Sequence, residues 1–261
     1  MRVLITGAGG GLGRVFSTEC ARRGFDLFLT DVHAPSLEAI AAGIKRQYDV
    51  NVYTEVCDLT DTDAVRVMLD GAAARGIEFD MLLNNAGVDF EGGFTERTSD
   101  QISSIIGINI EATLNITHEM LARRHEDKQF YIVFVSSLAS LYPMPLKACY
   151  AASKRFLYDF GYALGSELGS SGVSVTTLCP AGLATTDESM EAIAAQGFWG
   201  NLTTNSVETV ARRTIAKTLR GKRVYIPGSV NRALGAAGRF MPRALVVNVI
   251  HSRWQKAQAS R

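Results

Sequence analysis

The chain has 261 residues, 47% of them hydrophobic and 20% charged, with a formal net charge of +1. That is the make-up of an ordinary globular protein and excludes disordered, collagen-like and disulfide-scaffold readings. The near-neutral total conceals an asymmetry: residues 1–208 hold 15 Lys/Arg and all 26 Asp/Glu, whereas residues 209–261 hold 12 Lys/Arg and no acid.

Short apolar runs rich in Val, Ile, Leu and Phe predict strands near 2–6, 26–30, 51–56, 79–84, 130–136, 173–178 and 223–226. Helical spacing predicts helices near 11–23, 35–48, 62–76, 100–125, 149–169 and 206–220. Alternation of this kind specifies an α/β protein, a doubly wound Rossmann-type domain with seven parallel strands and helices on both faces. No linker or repeat interrupts it, so residues 1–261 are expected to form a single domain. Residues 183–205 break the rhythm after the sixth strand and are a candidate substrate lid. Residues 228–261 form a basic C-terminal extension.

Cys20, Cys57, Cys149 and Cys179 are too far apart for a metal-type pair, and His33, His118, His125 and His251 are scattered, so no metal site is expected. No apolar run approaches the roughly 18 residues that span a bilayer. Met1 runs directly into the strand-like RVLIT, which leaves no room for a signal peptide, so a cytoplasmic location is expected.

The first strand enters Thr6-Gly7-Ala8-Gly9-Gly10-Gly11-Leu12-Gly13, where a helix begins. Such glycines let the backbone turn sharply toward a pyrophosphate, whose charge is met by free amides and the positive helix end. Asp31 follows at the end of the second strand. A carboxylate there accepts hydrogen bonds from both hydroxyls of an adenosine ribose and repels a 2′-phosphate, favouring NAD(H) over NADP(H), although it could also cap the next helix. Cys57-Asp58-Leu59 and Asn84-Asn85-Ala86-Gly87 end the third and fourth strands on the same rim.

The fifth strand exits into Ser136-Ser137, and thirteen residues beyond Ser137 stands Tyr150-Ala151-Ala152-Ser153-Lys154. The i,i+4 spacing sets Tyr150 and Lys154 on one helical face. A free tyrosine has a pKa of about 10, so acid/base work near neutrality needs a nearby cation.

These motifs, in this order, resemble the short-chain dehydrogenase/reductase family from residue 1 to about 227. The resemblance implies that Tyr150 is the catalytic acid/base, that Lys154 lowers its pKa and holds the nicotinamide ribose, and that Ser137 rather than Ser136 orients the substrate oxygen. Asn109 matches the asparagine of a water-linked proton path. Gly7, Gly11, Leu12 and Gly13 match the pyrophosphate turn, Asp31 the ribose selector, Asp58 and Leu59 the adenine pocket, and Asn85 the loop beside the nicotinamide ribose. Ala181 replaces the family's usual glycine in Pro180-Ala181-Gly182-Leu183-Ala184-Thr185, which bears on the nicotinamide contacts assigned to Leu183 and Thr185. Family members usually pair through the helices carrying Asn109 and Tyr150, so a homodimer or homotetramer is expected.

Phe90, Phe94, Leu141, Tyr142, Met144, Met190, Ile193, Phe198 and Trp199 are candidates to ring the substrate, which suits a hydrophobic, lipid- or steroid-like ketone or secondary alcohol. The acid-free tail carries Ala244, Leu245, Val247, Val249, Ile250 and Trp254 among Arg243, His251, Arg253 and Lys256. It could meet a membrane surface, an acidic carrier protein or a neighbouring subunit, or merely balance the acidic body. No nucleic-acid module is recognisable. A 3-oxoacyl-thioester reductase is the alternative activity, and a non-catalytic nucleotide-binding sensor or scaffold is the alternative of another class.

Overall fold

A computed structural model of the protein describes residues 1–183, 204–240 and 242–259, and side chains within them except at 237–240, 251 and 253–259. Most of the candidate lid, with Thr185, Met190, Ile193, Phe198 and Trp199, lies outside the described residues, as do the side chains of His251, Arg253, Trp254 and Lys256.

Seven parallel strands form one sheet: β1 (Arg2–Thr6), β2 (Asp26–Asp31), β3 (Val52–Val56), β4 (Met81–Asn84), β5 (Phe130–Val135), β6 (Val173–Leu178) and β7 (Val224–Tyr225), in the order β3-β2-β1-β4-β5-β6-β7. The chain reverses its direction of travel across the sheet between β1 and β4, and the crevice outside that switch is where doubly wound sheets take ligands. The helices α1 (Gly11–Arg22), α2 (Ala34–Gln47), α3 (Thr62–Ala74), α4 (Ser99–Ile106), α5 (Thr113–Arg123), α6 (Ala148–Glu167) and α7 (Val207–Thr218) cover the two faces.

The alternation of side chains along each strand divides the core in two. Val3, Ile5, Leu27, Leu29 and Val133 point to one face, where they pack with Phe16 and Cys20 of α1, Leu37 and Ile44 of α2, and Val210 and Ile215 of α7. Leu4, Phe28, Leu82, Ile132 and Phe134 point to the other, against Val65 and Leu69 of α3, Ile116 and Met120 of α5, and Leu157 of α6. Gly161 lets α6 lie close, since a Cβ there would stand 2.9 Å from the Phe134 ring.

Two differences from the sequence expectation bear on function. The single helix expected over 100–125 is interrupted by a π-helical segment, Gly107–Ala112, that carries Asn109. The C-terminal extension forms two helices, α8 (Ser229–Phe240) and α9 (Arg243–Ala259). In α8, Gly235 sits so close to the β5 exit that a Cβ would meet Leu141 Cδ1 at 2.7 Å. The extension therefore braces the loop that follows Ser137. In α9 four successive apolar residues, Ala244 to Val247, go round the helix, so Val246 is buried while Leu245 and Val249 stay exposed.

Candidate active site

The carboxyl ends of β1, β2 and β4 converge at the switch crevice. Thr6 Oγ1 accepts the amides of Asn85 and Ala86 at 3.0 and 3.1 Å, and Asn85 Nδ2 donates to the carbonyls of Thr6 and Gly7 at 3.1 and 2.9 Å. Asn85 thus pins the glycine turn to the β4 exit. The turn requires glycine at named points: Gly7 has φ +61, and a Cβ at Gly13 would run into the Gly7 carbonyl oxygen. The Gly10 amide donates to the Gly7 oxygen at 3.3 Å as the chain enters α1. The first amides of α1, from Gly11 through Gly13, have no acceptor within the helix, which suits them to an anion.

Asp31 ends β2 beside this turn, its Oδ2 accepting the Gly9 amide at 2.8 Å and its Oδ1 the His33 amide at 3.0 Å. The helix-cap alternative does not hold, because His33 caps α2 by accepting the Ser36 amide. Each Asp31 oxygen accepts one amide, and a carboxylate has room for further donors such as ribose hydroxyls. The donor set therefore fits a dinucleotide. Asp58 Oδ1 takes the amide and hydroxyl of Thr60 at 2.9 and 2.7 Å, closing a turn at the β3 exit. Leu59 packs into the core beneath that turn. Leu183 packs against the core beyond the β6 exit.

On the β5 side, the adjacent serines divide. Ser136 is buried and donates to the Lys154 carbonyl at 2.7 Å, so its hydroxyl is committed to holding α6. Ser137 is half-buried, its Oγ accepts the Ala139 amide at 3.1 Å, and its hydroxyl favours the ionised form of the Tyr150 phenol. Lys154 is buried, donates to the Val135 carbonyl at 3.0 Å and places Nζ 5.7 Å from the Tyr150 ring centre. Asn109 is fully buried: Oδ1 accepts the Val88 amide at 2.8 Å, and Nδ2 donates to the Val88 carbonyl and Ser153 Oγ, both at 3.0 Å. A Cβ at Gly87 would stand 3.0 Å from both Asn109 Oδ1 and Lys154 Nζ, so this glycine keeps the two polar atoms close together. The π-helical segment turns Asn109 into that seat, as such segments often do at functional sites.

The electrostatics differ from the sequence expectation. Burial pushes the Lys154 ammonium down to about 8, against the pull of the Asp89 carboxylate. Burial likewise pushes the Tyr150 phenol above its ordinary range and Asp89 adds to this, while the Ser137 hydroxyl and the Lys147 ammonium oppose it. In the polypeptide alone the phenol therefore holds its proton. Lys147, Asp89 and Glu91 are site residues that the motifs did not reveal; the i−3 spacing of Lys147 from Tyr150 was the available signal. Phe94, expected to ring the substrate, is 58% exposed.

The sequence pattern of the short chain dehydrogenase family matches residues 1–196. The chain belongs to the short-chain dehydrogenase family. Among its relatives, the very-long-chain 3-oxoacyl-CoA reductase of Laccaria bicolor is 32% identical over 177 residues, covering 67% of this chain and 52% of that protein. Human 17-beta-hydroxysteroid dehydrogenase type 3 is 32% identical over 184 residues, covering 70% of this chain and 59% of that protein. The chain thus spans between about half and three fifths of the length of these two relatives. A short-chain dehydrogenase/reductase from Burkholderia phymatum, solved in complex with NAD, superposes with a TM-score of 0.78 at 22% identity, covering 90% of this chain and 91% of that one. Among the described residues no helix is long and apolar enough to cross a membrane.

Proposed function

We propose that the protein is an NAD(H)-dependent oxidoreductase that interconverts a hydrophobic, lipid- or steroid-like secondary alcohol and its ketone. The buried Lys154 ammonium, 5.7 Å from the ring centre of Tyr150 one turn back along α6 and beside the β5 exit that carries Ser137, carries this reading. The nicotinamide, when bound, supplies or accepts the hydride. Tyr150, which holds its proton in the polypeptide, donates it to the substrate oxygen during reduction and takes it back during oxidation. Ser137 hydrogen-bonds the same oxygen and fixes its position. Lys154 stabilises the phenolate electrostatically, and Asn109 and Gly87 set the place of its ammonium. The amides of Gly11, Leu12 and Gly13 take the pyrophosphate, Asp31 the adenosine ribose, Asp58 and Leu59 border the adenine, and Asn85 lines the nicotinamide side. Leu183 is assigned to that side beyond β6.

Asp31 supports NAD(H) over NADP(H), because a 2′-phosphate beside its carboxylate meets like charge. The resemblance to a steroid dehydrogenase supports an apolar substrate. The resemblance to a 3-oxoacyl-CoA reductase, with the acid-free C-terminal segment, favours a 3-oxoacyl thioester as the second reading. We further read the chain as one domain whose exposed Ile106, Phe156 and Tyr162, on α4 and α6, pair it with a second copy.

Fluorescence titration with NADH and NADPH, followed by turnover of bulky ketones and 3-oxoacyl thioesters with the tighter cofactor, tests the reading. NADH should bind at least tenfold more tightly, and Tyr150→Phe should lower turnover by about 10² to 10⁴-fold. Equal affinity for both cofactors refutes the role of Asp31. Turnover in Tyr150→Phe within about threefold of wild type refutes the acid/base assignment.

A further inference from the structure

The loop leaving β4 and the loop entering α6 are joined beside Tyr150 by three contacts. Lys147 Nζ lies 2.6 Å from Asp89 Oδ2 and 2.6 Å from Glu91 Oε1, and the Gly92 amide donates to the Leu146 carbonyl at 3.0 Å. This is no ordinary surface ion pair, since the Lys147 side chain is only 15% exposed. The backbone is bent to make it. Leu146 has φ 65, and among the described residues no other non-glycine lies in the left-handed region. A leucine there costs on the order of 1–3 kcal/mol and persists only when its surroundings over-determine it. Gly92 has φ 124, and a Cβ on it would run into the Arg97 guanidinium.

The same ammonium stands 5.6 Å from the Tyr150 ring centre, three residues before it, as Lys154 stands four residues after it. Asp89 opposes ionisation of Tyr150 and favours the charged form of Lys154. An unneutralised carboxylate at this place would therefore work against a phenolate. The two carboxylates keep Lys147 charged despite its burial.

We propose that Lys147 is a positioning residue of the Tyr150–Lys154 pair: it straps the β4 exit loop to the start of α6 and neutralises the carboxylates that the strap requires. The reading rests on the assignment of Tyr150 and Lys154 as the catalytic pair. It explains why acids stand beside a tyrosine that must ionise. They fasten the loop, and the lysine they fasten it with cancels their field. The groups around Lys154 are Asp89 and Glu91 from the β4 exit; Tyr150 from α6 and Lys147 from the loop that enters it; and the neutral Ser136, Ser137 and Asn109 from the β5 exit and the π-helical segment. Asp89 is the charge that acts on it from another element.

The test uses the full chain labelled with ¹³Cε-lysine, the Lys154 resonance being assigned by its loss in Lys154→Met. Its titration midpoint is followed by NMR, and amide hydrogen exchange is followed over residues 88–93. Lys147→Met leaves Asp89 unneutralised, so the Lys154 midpoint should rise by a few tenths of a pH unit or more, about the effect a nearby unit charge keeps even in water-like screening. Asp89→Asn should lower the midpoint. Lys147→Arg should keep it. Lys147→Met should also lose exchange protection at Gly92, which Lys147→Arg should retain. Midpoints that stay put in both charge variants, or move in the same direction, overturn the proposal, as does unchanged protection in Lys147→Met. If Lys147→Met does not fold, an unmoved midpoint in Asp89→Asn is enough to overturn it. Neither readout needs turnover, so failure of the proposed reaction, seen as unaltered activity in Tyr150→Phe, is a separate result.

Discussion

Lys154→Met puts the cost of the buried ammonium on a measurable scale. Burial pushes this group in the folded chain from 10.5 down to about 8, with Asp89 opposing. That difference corresponds to about 3 kcal/mol. Below pH 8 both folded and unfolded chains carry the proton, and the folded state bears the whole cost. Between about 8 and 10.5 the unfolded chain binds more protons, so wild-type stability gains on that account as the pH rises, until both states are neutral. Methionine fills similar space without charge but cannot donate to the Val135 carbonyl, a bond of 3.0 Å worth about 1 kcal/mol. Lys154→Met should therefore be about 2 kcal/mol more stable than wild type at pH 7 and about 1 kcal/mol less stable near pH 10.5. Urea unfolding followed by far-UV circular dichroism across that range, without added nucleotide, gives the difference, in which the other titrating groups cancel. A stability difference that does not change with pH refutes the placement of a charged lysine in this pocket.

Three further outcomes are expected. Glu19 is almost buried in α1, and although burial pushes its carboxyl up, hydrogen bonds from Arg22 and Arg23 hold it below the usual carboxylate range. Glu19→Gln should cost about 2 kcal/mol at pH 7, and the loss should vanish in acid as the pH falls through the folded-state value of Glu19, which acid-unfolding curves will show. Gly161→Ala would put a methyl 2.5 Å from Thr177 Oγ1 and 2.9 Å from Phe134 Cδ2, so chemical denaturation should show a loss of about 1–3 kcal/mol. Gly13→Ala would press on the Gly7 carbonyl and on Asn85 Nδ2, 2.8 Å away, so NADH titration should show binding weakened about tenfold or more with the fold intact.

Every strand of the described sheet was legible in the sequence, because strands buried on both faces are continuous apolar runs and glycine or polar residues punctuate their exits. The resemblance preferred Ser137 to Ser136 through its distance from Tyr150, and in the structure Ser136 already serves the Lys154 carbonyl. What was not legible depends on neighbours distant in the chain. The π-helical segment leaves no composition signal, because one extra residue in a helix changes its turn and not its apolar content. Lys147, Asp89 and Glu91 read as scattered surface charges until the β4 and β5 exits bring residues 58 positions apart within 2.6 Å. The tail read as a basic extension of the domain with several open roles, whereas Gly235 seats α8 on Leu141, a contact no periodicity encodes.

The π-helical segment over Gly107–Ala112 also sets a limit on how this chain can change length. Each helical residue advances by about 100°, so deleting one residue between Ser99 and Arg123 would restore a uniform helix and swing one of its ends through more than a quarter turn. Either Ile105 would leave the core, or Asn109 would lose the Val88 peptide that holds it. Substitutions along this helix can be absorbed one side chain at a time. A shortening cannot, so insertions and deletions are confined to the turns on either side, and the position of one amide fixes the residue count of the whole segment.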